Sequence, residues 1–396
     1  MRKRNGRKCR LISGIMSAIL LLCFVLSAPT YCKAQIELTS PSAILIERST
    51  GTVIYEKNAD EKRSPASITK IMTLLLTFEQ IRAGKADLQE EVLVSERAAS
   101  MGGSQVYLAQ GEKQTLDTMI KCIAVASGND ASVAVAEHLA GSEEAFVKMM
   151  NDKAATLGMT GTHFEDCCGL SDSENHYTTA RDVAIMSREL ITEYPEVFDY
   201  TKIWMEDVIH VTNRGSSRFT LSSTNKLLKR YAYCTGLKTG STQKAKYCIS
   251  ATASKDGIDL IAVVMGAPDP KARFSEAQTL LTYGYASCRL YEDQEPMELP
   301  KLPLKNAIEK EIEIERDGGF SYLDLEGISF DKIEKNMELP EAVKAPVVVG
   351  EIAGYVVYSY QGAELGRVPI RYKTSAEKAD YGSYLLYAFQ SLLFLK

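Results

Sequence analysis

The sequence predicts an α+β fold: an antiparallel sheet with an inserted helical lobe, followed by a small all-β domain at the C-terminus. Three observations carry this. Segments rich in β-branched residues bracket a long stretch of helical periodicity, so the sheet starts before the helices and resumes after them. The neighbouring strands are joined by short turns, which favours antiparallel pairing covered by helices. Past residue 305 the pattern alternates again, broken by Gly and Asp turns. The chain has 396 residues, more than one domain usually holds, so two folded units are expected.

The elements follow in order. MRKRNGRKCR, LISGIMSAILLLCFVLSAP and TYCKAQ read as the basic, apolar and small-residue parts of an export signal. Cleavage is expected after Ala34; an uncleaved N-terminal anchor is the other reading, because the apolar run is near the minimum for a span. Residues 35–290 form the first domain. SAILIER and TVIYEKN flank Ser49-Thr50-Gly51 as a hairpin. From Ser67 to about Arg230 the pattern is helical, with TLDTMIKCIAVAS, DASVAVAEHLA and TARDVAIMSRELI placing apolar residues at three-and-four spacing. KYCISATAS and IDLIAVVMG make a second hairpin, and a helix follows, with Pro270 near its start.

Residues 291–305 carry three prolines and mixed charge and read as a linker. In residues 306–372, KEIEIER, SYLDLE, GEIAGYVVYSY and AELGRVPIRY alternate like strands. Residues 373–396 read as a tether and an apolar tail, YGSYLLYAFQSLLFLK, too short for a comfortable span. The tail suits a helix lying in a membrane interface, the alternative being a terminal helix docked on the protein.

Composition excludes some functions. Residues 1–34 hold seven of the 46 Lys/Arg and none of the 51 Asp/Glu, so the exported chain has 39 basic and 51 acidic residues, a formal net charge of −12. That excess of acid disfavours nucleic acid as a partner. Six cysteines remain after residue 34, irregularly spaced and without a zinc pattern, and mostly free thiols are expected. The four histidines (His138, His163, His176, His210) match no metal-ligand motif, so neither metal nor cofactor is expected. No G-x-S-x-G elbow and no P-loop occur.

A lysine-assisted serine is better supported. S-x-x-K begins at Ser67, Ser223, Ser241, Ser329 and Ser375; S-x-N begins at Ser127, Ser173 and Ser223; K-T-G occurs once, Lys238 to Gly240. Each pattern alone is weak, and Ser67 alone reads as a helix cap. Order selects among them. Ser67 and Lys70 open the first long helix, Ser127-Gly128-Asn129 falls between two helices, and Lys238-Thr239-Gly240 starts the strand that returns to the sheet. Three parts of the chain then meet in one cleft between helical and sheet lobes. Ser67 and Lys70, three apart, lie on one helical face. A serine hydroxyl needs a base to become nucleophilic. Lys70 serves if neutral, and burial and a nearby positive Lys238 both lower its pKa.

This set of motifs resembles the penicillin-recognising serine enzymes with the β-lactamase/transpeptidase-like fold. More narrowly, the chain is similar to the low-molecular-mass penicillin-binding proteins of peptidase family S11, the serine-type D-alanyl-D-alanine carboxypeptidases. TGTVIYEKNADEKRSPASITKIMT, SGNDASVAVAEHLAGSEEAF, MNDKAATLGMTGTHF and GLKTGSTQKAKYCISATASKDGIDLIAVVMGAPD all carry the likeness, from about residue 37 onward. One departure is Cys168 in Asp166-Cys167-Cys168-Gly169-Leu170, where members of the family often have His or another polar residue.

The resemblance implies roles. Ser67 attacks the carbonyl between the last two D-alanines of a peptidoglycan stem peptide. Its own N–H and that of Ser241 are the oxyanion donors. Ser127 passes a proton to the leaving D-alanine, and Asn129 holds the substrate's amide. Lys238, Thr239, Gly240 and Ser241 form the substrate-binding strand that takes the terminal carboxylate, and Arg273 either adds a charge there or is a solvated helix arginine. Expected ligands are stem peptides and β-lactam antibiotics; expected placement is the outer face of the cytoplasmic membrane or the cell wall, with the tail on the membrane surface. Two rivals stand beside this reading. A β-lactamase of the same fold would need an E-x-x-L-N loop between the second and third motifs, and none is present. A penicillin-acylated sensor or wall-binding module would be joined to transmembrane signalling parts.

Overall fold

The centre of the first lobe is a five-stranded antiparallel sheet. The computed structural model describes residues 36–212 and 215–392. The residues read as an export signal, and the last four of the tail, lie outside the described residues. The sheet is built from β1 (Ser42–Glu47), β2 (Val53–Lys57), β3 (Cys234–Thr242), β4 (Lys246–Lys255) and β5 (Ile258–Ala267), in the order β2-β1-β5-β4-β3. Both hairpins expected from the sequence are present, β1 with β2 and β4 with β5.

All six residues of β1 are buried, so both faces of the sheet are covered. Period-two geometry divides its side chains. Ile44 and Ile46 join the core under the helical lobe, together with Ile261, Val263 and Met265 of β5. Leu45 points the other way and meets Gly284 of α6 (Pro270–Ser287). Each Leu or Ile fully buried in this way contributes about 1.5–3 kcal/mol.

Between β2 and β3 lie α1 (Lys70–Arg82), α2 (Leu116–Ala124), α3 (Asn129–Ala140), α4 (Glu143–Thr156) and α5 (Ala180–Glu193). Helix α1, KIMTLLLTFEQIR, has its first nine residues buried, as a helix apolar on every side must. Three of the four surrounding helices start on side-chain caps, α3 being the exception at Gly128: Thr115 accepts from Thr118 N–H, Ser142 from Ala145 N–H and Thr179 from Asp182 N–H. Each such cap contributes about 1 kcal/mol.

The block is less uniformly helical than its sequence suggests. Met205–Thr212 and Gly215–Ser222 form a hairpin, and Glu91–Leu93 pairs with Lys113–Thr115. On Met205–Thr212 only Val208 and His210 are buried, so the strand period has few apolar positions to mark it. Helix α4 lies within the stretch read as helical but has no strong apolar face to single it out, since it buries just Phe146, Met150 and Ala154.

The segment 291–305 is not a featureless linker. Its first residues complete β6 (Arg289–Asp293), which pairs with β7 (Phe320–Asp324), and its last form a short strand, Leu302–Lys305. Asp293 is buried and binds Lys335 at 2.7 Å, Arg316 at 3.3 Å and the Tyr358 hydroxyl at 2.7 Å. Burial of Asp293 acts against its ionisation, but these partners outweigh it and hold the carboxyl below its ordinary range. The four-stranded sheet beyond contains Ile314–Arg316, Ala363–Tyr372, Ile352–Tyr360 and Glu334–Glu338, in that order. KEIEIER, expected to be one strand, is divided between two sheets. The tail is a helix, α7 (Tyr381–Leu392), with no buried residue. Among the described residues no helix is long and apolar enough to cross a membrane.

Candidate active site

Ser67 sits in a tight 3₁₀ turn, Ala66–Thr69, that runs directly into α1. Its hydroxyl caps nothing; the turn has no side-chain cap, and Ala66 ahead of it takes a left-handed φ of 48°. The hydroxyl is left for chemistry. Lys70, the first residue of α1, is fully buried, with Nζ 3.1 Å from Ser67 Oγ.

Two more acceptors hold that nitrogen: Asn129 Oδ1 at 2.6 Å and the Cys168 carbonyl at 2.7 Å. A neutral amine has two N–H bonds and one lone pair. In the charged form all three N–H groups are used, the third donating to Ser67 Oγ; in the neutral form Asn129 and Cys168 take both N–H groups and the lone pair is left for the Ser67 O–H. Burial pushes the Lys70 pKa down, opposed by Cys168, Cys167, Asp166 and Asp130. Lys238 was expected to help lower it. The two lysines do repel each other: Lys238 is held well below the ordinary lysine value by burial first and then by Lys70 and Arg273.

Lys238 Nζ donates to Ser127 Oγ at 2.8 Å and to the Thr239 carbonyl at 3.0 Å. Ser127 lies in the break between α2 and α3 with φ of 63°, a left-handed conformation for a non-glycine residue. Such strain costs on the order of 1–3 kcal/mol and persists where the surroundings enforce it. Here Gly128 N–H binds the Cys122 carbonyl and Asn129 N–H binds the Ser104 carbonyl.

Strand β3 runs against the serine turn. A Cβ on Gly240 would lie 2.9 Å from the backbone nitrogens of both Ser67 and Ile68. Only glycine lets the K-T-G strand come this close. Thr239 donates to the Thr224 hydroxyl at 2.7 Å, and Ser241, which follows Gly240, is exposed. Ser67, Lys70, Ser127, Asn129, Lys238, Thr239 and Gly240 are thus brought together.

Two of the expected residues show their anchoring. Asn129, expected to hold the substrate's amide, accepts from Lys70 through Oδ1 and donates from Nδ2 to the Gly102 carbonyl at 2.7 Å, which uses one of the two N–H groups of its amide. Arg273 is neither a solvated helix arginine nor a free charge in the cleft. It is buried, and its Nη1 donates to the Gly240 carbonyl at 3.1 Å, so it supports β3 from α6.

Sequence reasoning missed four contributors. The carbonyls of Cys168 and Gly102 act through backbone, which no residue type announces. Thr224 and Asn225 belong to an S-x-N match that looked redundant. Thr224 N–H binds the Val125 carbonyl and Asn225 Nδ2 binds the Gly236 carbonyl, tying the end of α2 to β3. The departure at Cys168 leaves the lysine cradle intact, because the residue contributes its main chain. The six described cysteines are all free thiols.

The chain is similar to known proteins along most of its length. Residues 29–269 match the family model described as D-alanyl-D-alanine carboxypeptidase. The D-alanyl-D-alanine carboxypeptidase DacF of Bacillus subtilis is 39% identical over 385 residues, covering 95% of this chain and 97% of that protein. DacC of Escherichia coli, also named a D-alanyl-D-alanine carboxypeptidase, is 35% identical over 283 residues, 69% of this chain and 68% of its own. Among solved structures, penicillin binding protein 5 of Haemophilus influenzae superposes with a TM-score of 0.74 at 26% identity, over 87% of this chain and 99% of that one.

Proposed function

This chain belongs to the peptidase S11 family of D-alanyl-D-alanine carboxypeptidases, and from that premise we propose that Ser67 is its nucleophile and Lys70 its base. It is a serine carboxypeptidase that removes the terminal D-alanine from peptidoglycan stem peptides, and it is of the fold that penicillin acylates. The observation that carries the assignment of residues is the buried Lys70 amine, turned toward Ser67 by Asn129 and Cys168.

The steps follow from that cradle. Neutral Lys70 takes the Ser67 proton as Oγ attacks the carbonyl between the last two D-alanines. The N–H groups of Ser67 and Ser241 bind the oxyanion that forms. The C–N bond then breaks, and the leaving amine takes a proton delivered by Ser127 from Lys70 or Lys238. Water attacks the acyl-Ser67 ester and releases the shortened peptide, returning the hydroxyl. Lys238, Thr239 and Ser241 receive the terminal carboxylate, and Arg273 holds the Gly240 carbonyl so that β3 keeps its line. Asn129 aligns Lys70 through Oδ1, and the second N–H of its Nδ2, the one not given to Gly102, is the donor for the substrate's amide carbonyl.

Two molecules offered to purified residues 35–372 test this reading: a labelled penicillin and a D-Ala-D-Ala pentapeptide. The expected result is D-alanine release together with a lasting penicillin adduct. Rapid penicillin turnover would instead mark a β-lactamase, and an adduct without peptide turnover would mark a sensor.

The substrate's chemistry puts the enzyme outside the cytoplasm. Placement at the membrane is supported by α7, where Tyr381 (83%), Leu385 (61%), Phe389 (64%) and Leu392 (80%) are exposed. Such a helix buries its apolar side chains at a lipid interface. Residues 35–396 should sediment with anionic phospholipid vesicles and residues 35–372 should not; equal behaviour of the two contradicts the anchor.

A further inference from the structure

His176 is a buried imidazole, 1% exposed, to which the steps above give no task. It closes the segment 163–178, in which His163 and Tyr177 exchange backbone hydrogen bonds of 2.9 and 3.1 Å. This segment delivers the Cys168 carbonyl to Lys70, and the Cys167 carbonyl to the Thr73 hydroxyl one turn further along α1 at 2.5 Å.

The ring bridges the two ends of that delivery. Its Nδ1 accepts the Glu165 N–H at 2.9 Å, and its Nε2 lies 3.0 Å from Oγ1 of Thr69, the last residue of the nucleophile turn, directly before Lys70. A backbone N–H can only donate, so Nδ1 carries no proton. The proton of the neutral ring is on Nε2 and goes to Thr69. Phe164 packs edge-on against the ring, with centroids 6.0 Å apart.

We propose that His176 is a positioning residue: in its neutral form it latches the segment 163–178 to Thr69, and so keeps the Cys168 carbonyl on Lys70. The proposal rests on the reading of Lys70 as the base for Ser67. Protonation would put an N–H on Nδ1 facing the Glu165 N–H, donor against donor, and open the latch.

Burial favours the neutral ring and lowers its pKa. The charged groups around it divide: Asp166 and Glu165 favour protonation, while His163 and Lys244 oppose it. Lys62, Arg63, Glu174 and Tyr177 line the same hollow, and Lys70 follows Thr69 on the opposite side. The open segment binds its proton near the ordinary histidine value of about 6.5, and the latched segment binds it lower. The latch is therefore fully closed above about pH 6.5 and lost as pH falls through the lowered value.

The test measures the second-order rate of penicillin acylation against pH on residues 35–396. His176→Ala and Thr69→Val should each slow acylation about tenfold at pH 7.5, because a shift of about 1 Å in the lysine cradle is enough to do so. The double variant should be no slower than the slower single, since both changes break one link. His176→Gln keeps a donor for Thr69 and cannot titrate. It should restore most of the rate, and the acid limb of log rate against pH should become shallower by one proton. Effects that multiply in the double variant, or a wild-type acid limb in His176→Gln, overturn the latch. Singles as fast as a wild type that acylates at Ser67 overturn the latch alone; a wild type that takes no adduct at Ser67 overturns the reading of the site and the latch with it.

Discussion

Lys70→Ala is expected to slow acylation of Ser67 by about a thousandfold or more, within the range for loss of a positioned base. The direction follows from the cradle. Among the groups within reach of Ser67 Oγ, Lys70 Nζ at 3.1 Å is the one that burial drives toward neutrality while two acceptors orient it. Alanine also leaves Asn129 Oδ1 and the Cys168 carbonyl without their donor, so part of the loss comes from a loosened cleft. Lys70→Arg separates the two effects, because arginine keeps a donor but stays protonated. It should be nearly as slow as alanine while leaving the melting temperature closer to wild type. In wild type, acylation should rise with pH through the lowered Lys70 pKa, since only the neutral amine accepts the serine proton. The same pKa has a stability consequence of matching sign. The unfolded chain binds a proton at Lys70 more tightly than the folded chain does, so stability grows as pH climbs from the lowered value toward the ordinary value of about 10.4. Stopped-flow acylation and thermal unfolding across pH check both statements.

Gly169→Ala is expected to be the most damaging of the conservative changes near the site. Gly169 has φ of 79°, and a Cβ there would lie 1.8 Å from the carbonyl oxygen of Ala66 and 2.3 Å from its carbon. Those atoms are the backbone of the turn that carries Ser67, so relief of the clash moves the nucleophile or the loop that bears Cys168. The loss should be about 2–4 kcal/mol of stability, together with slowed acylation. Gly84→Ala is the control: its φ of 66° is similar, but nothing lies within 4 Å of the added carbon. It should cost about 1–2 kcal/mol, the left-handed penalty alone. Denaturant unfolding of the two variants measures the difference, and equal losses would mean that the contact with Ala66 is not what requires glycine.

Much of the site was legible because its chemistry rests on side chains in a fixed order. Ser67, Lys70, Ser127 and Lys238 carry distinctive groups, and they fall at recognisable places: the start of the first long apolar helix, the break between two helices and the strand that returns to the sheet. What stayed hidden was carried by backbone or by packing. The Cys168 and Gly102 carbonyls could belong to any residue, and their places depend on how the loops 100–104 and 163–178 fold over α1. The engagement of Asn129 by Lys70 and Gly102 likewise depends on tertiary approach. So does the turn of Arg273 toward the Gly240 carbonyl, which follows from how α6 lies on the sheet rather than from the PKARFSEA pattern. In the fold, β1, β4 and β5 were clear because both faces are buried. The hairpin Met205–Ser222 was not, because its alternation is carried by few buried residues. The strand pairing of residues 289–293 was masked by the prolines that follow it.

The most direct measurement is the position of the penicillin adduct. Residues 35–396 and the Ser67→Ala variant are each incubated with a penicillin, digested and examined by mass spectrometry. The expected result is one adduct, on the peptide containing Ser67, absent from the variant even though the variant melts like wild type. An adduct on Ser241 or Ser223, or one that survives Ser67→Ala, would contradict the account.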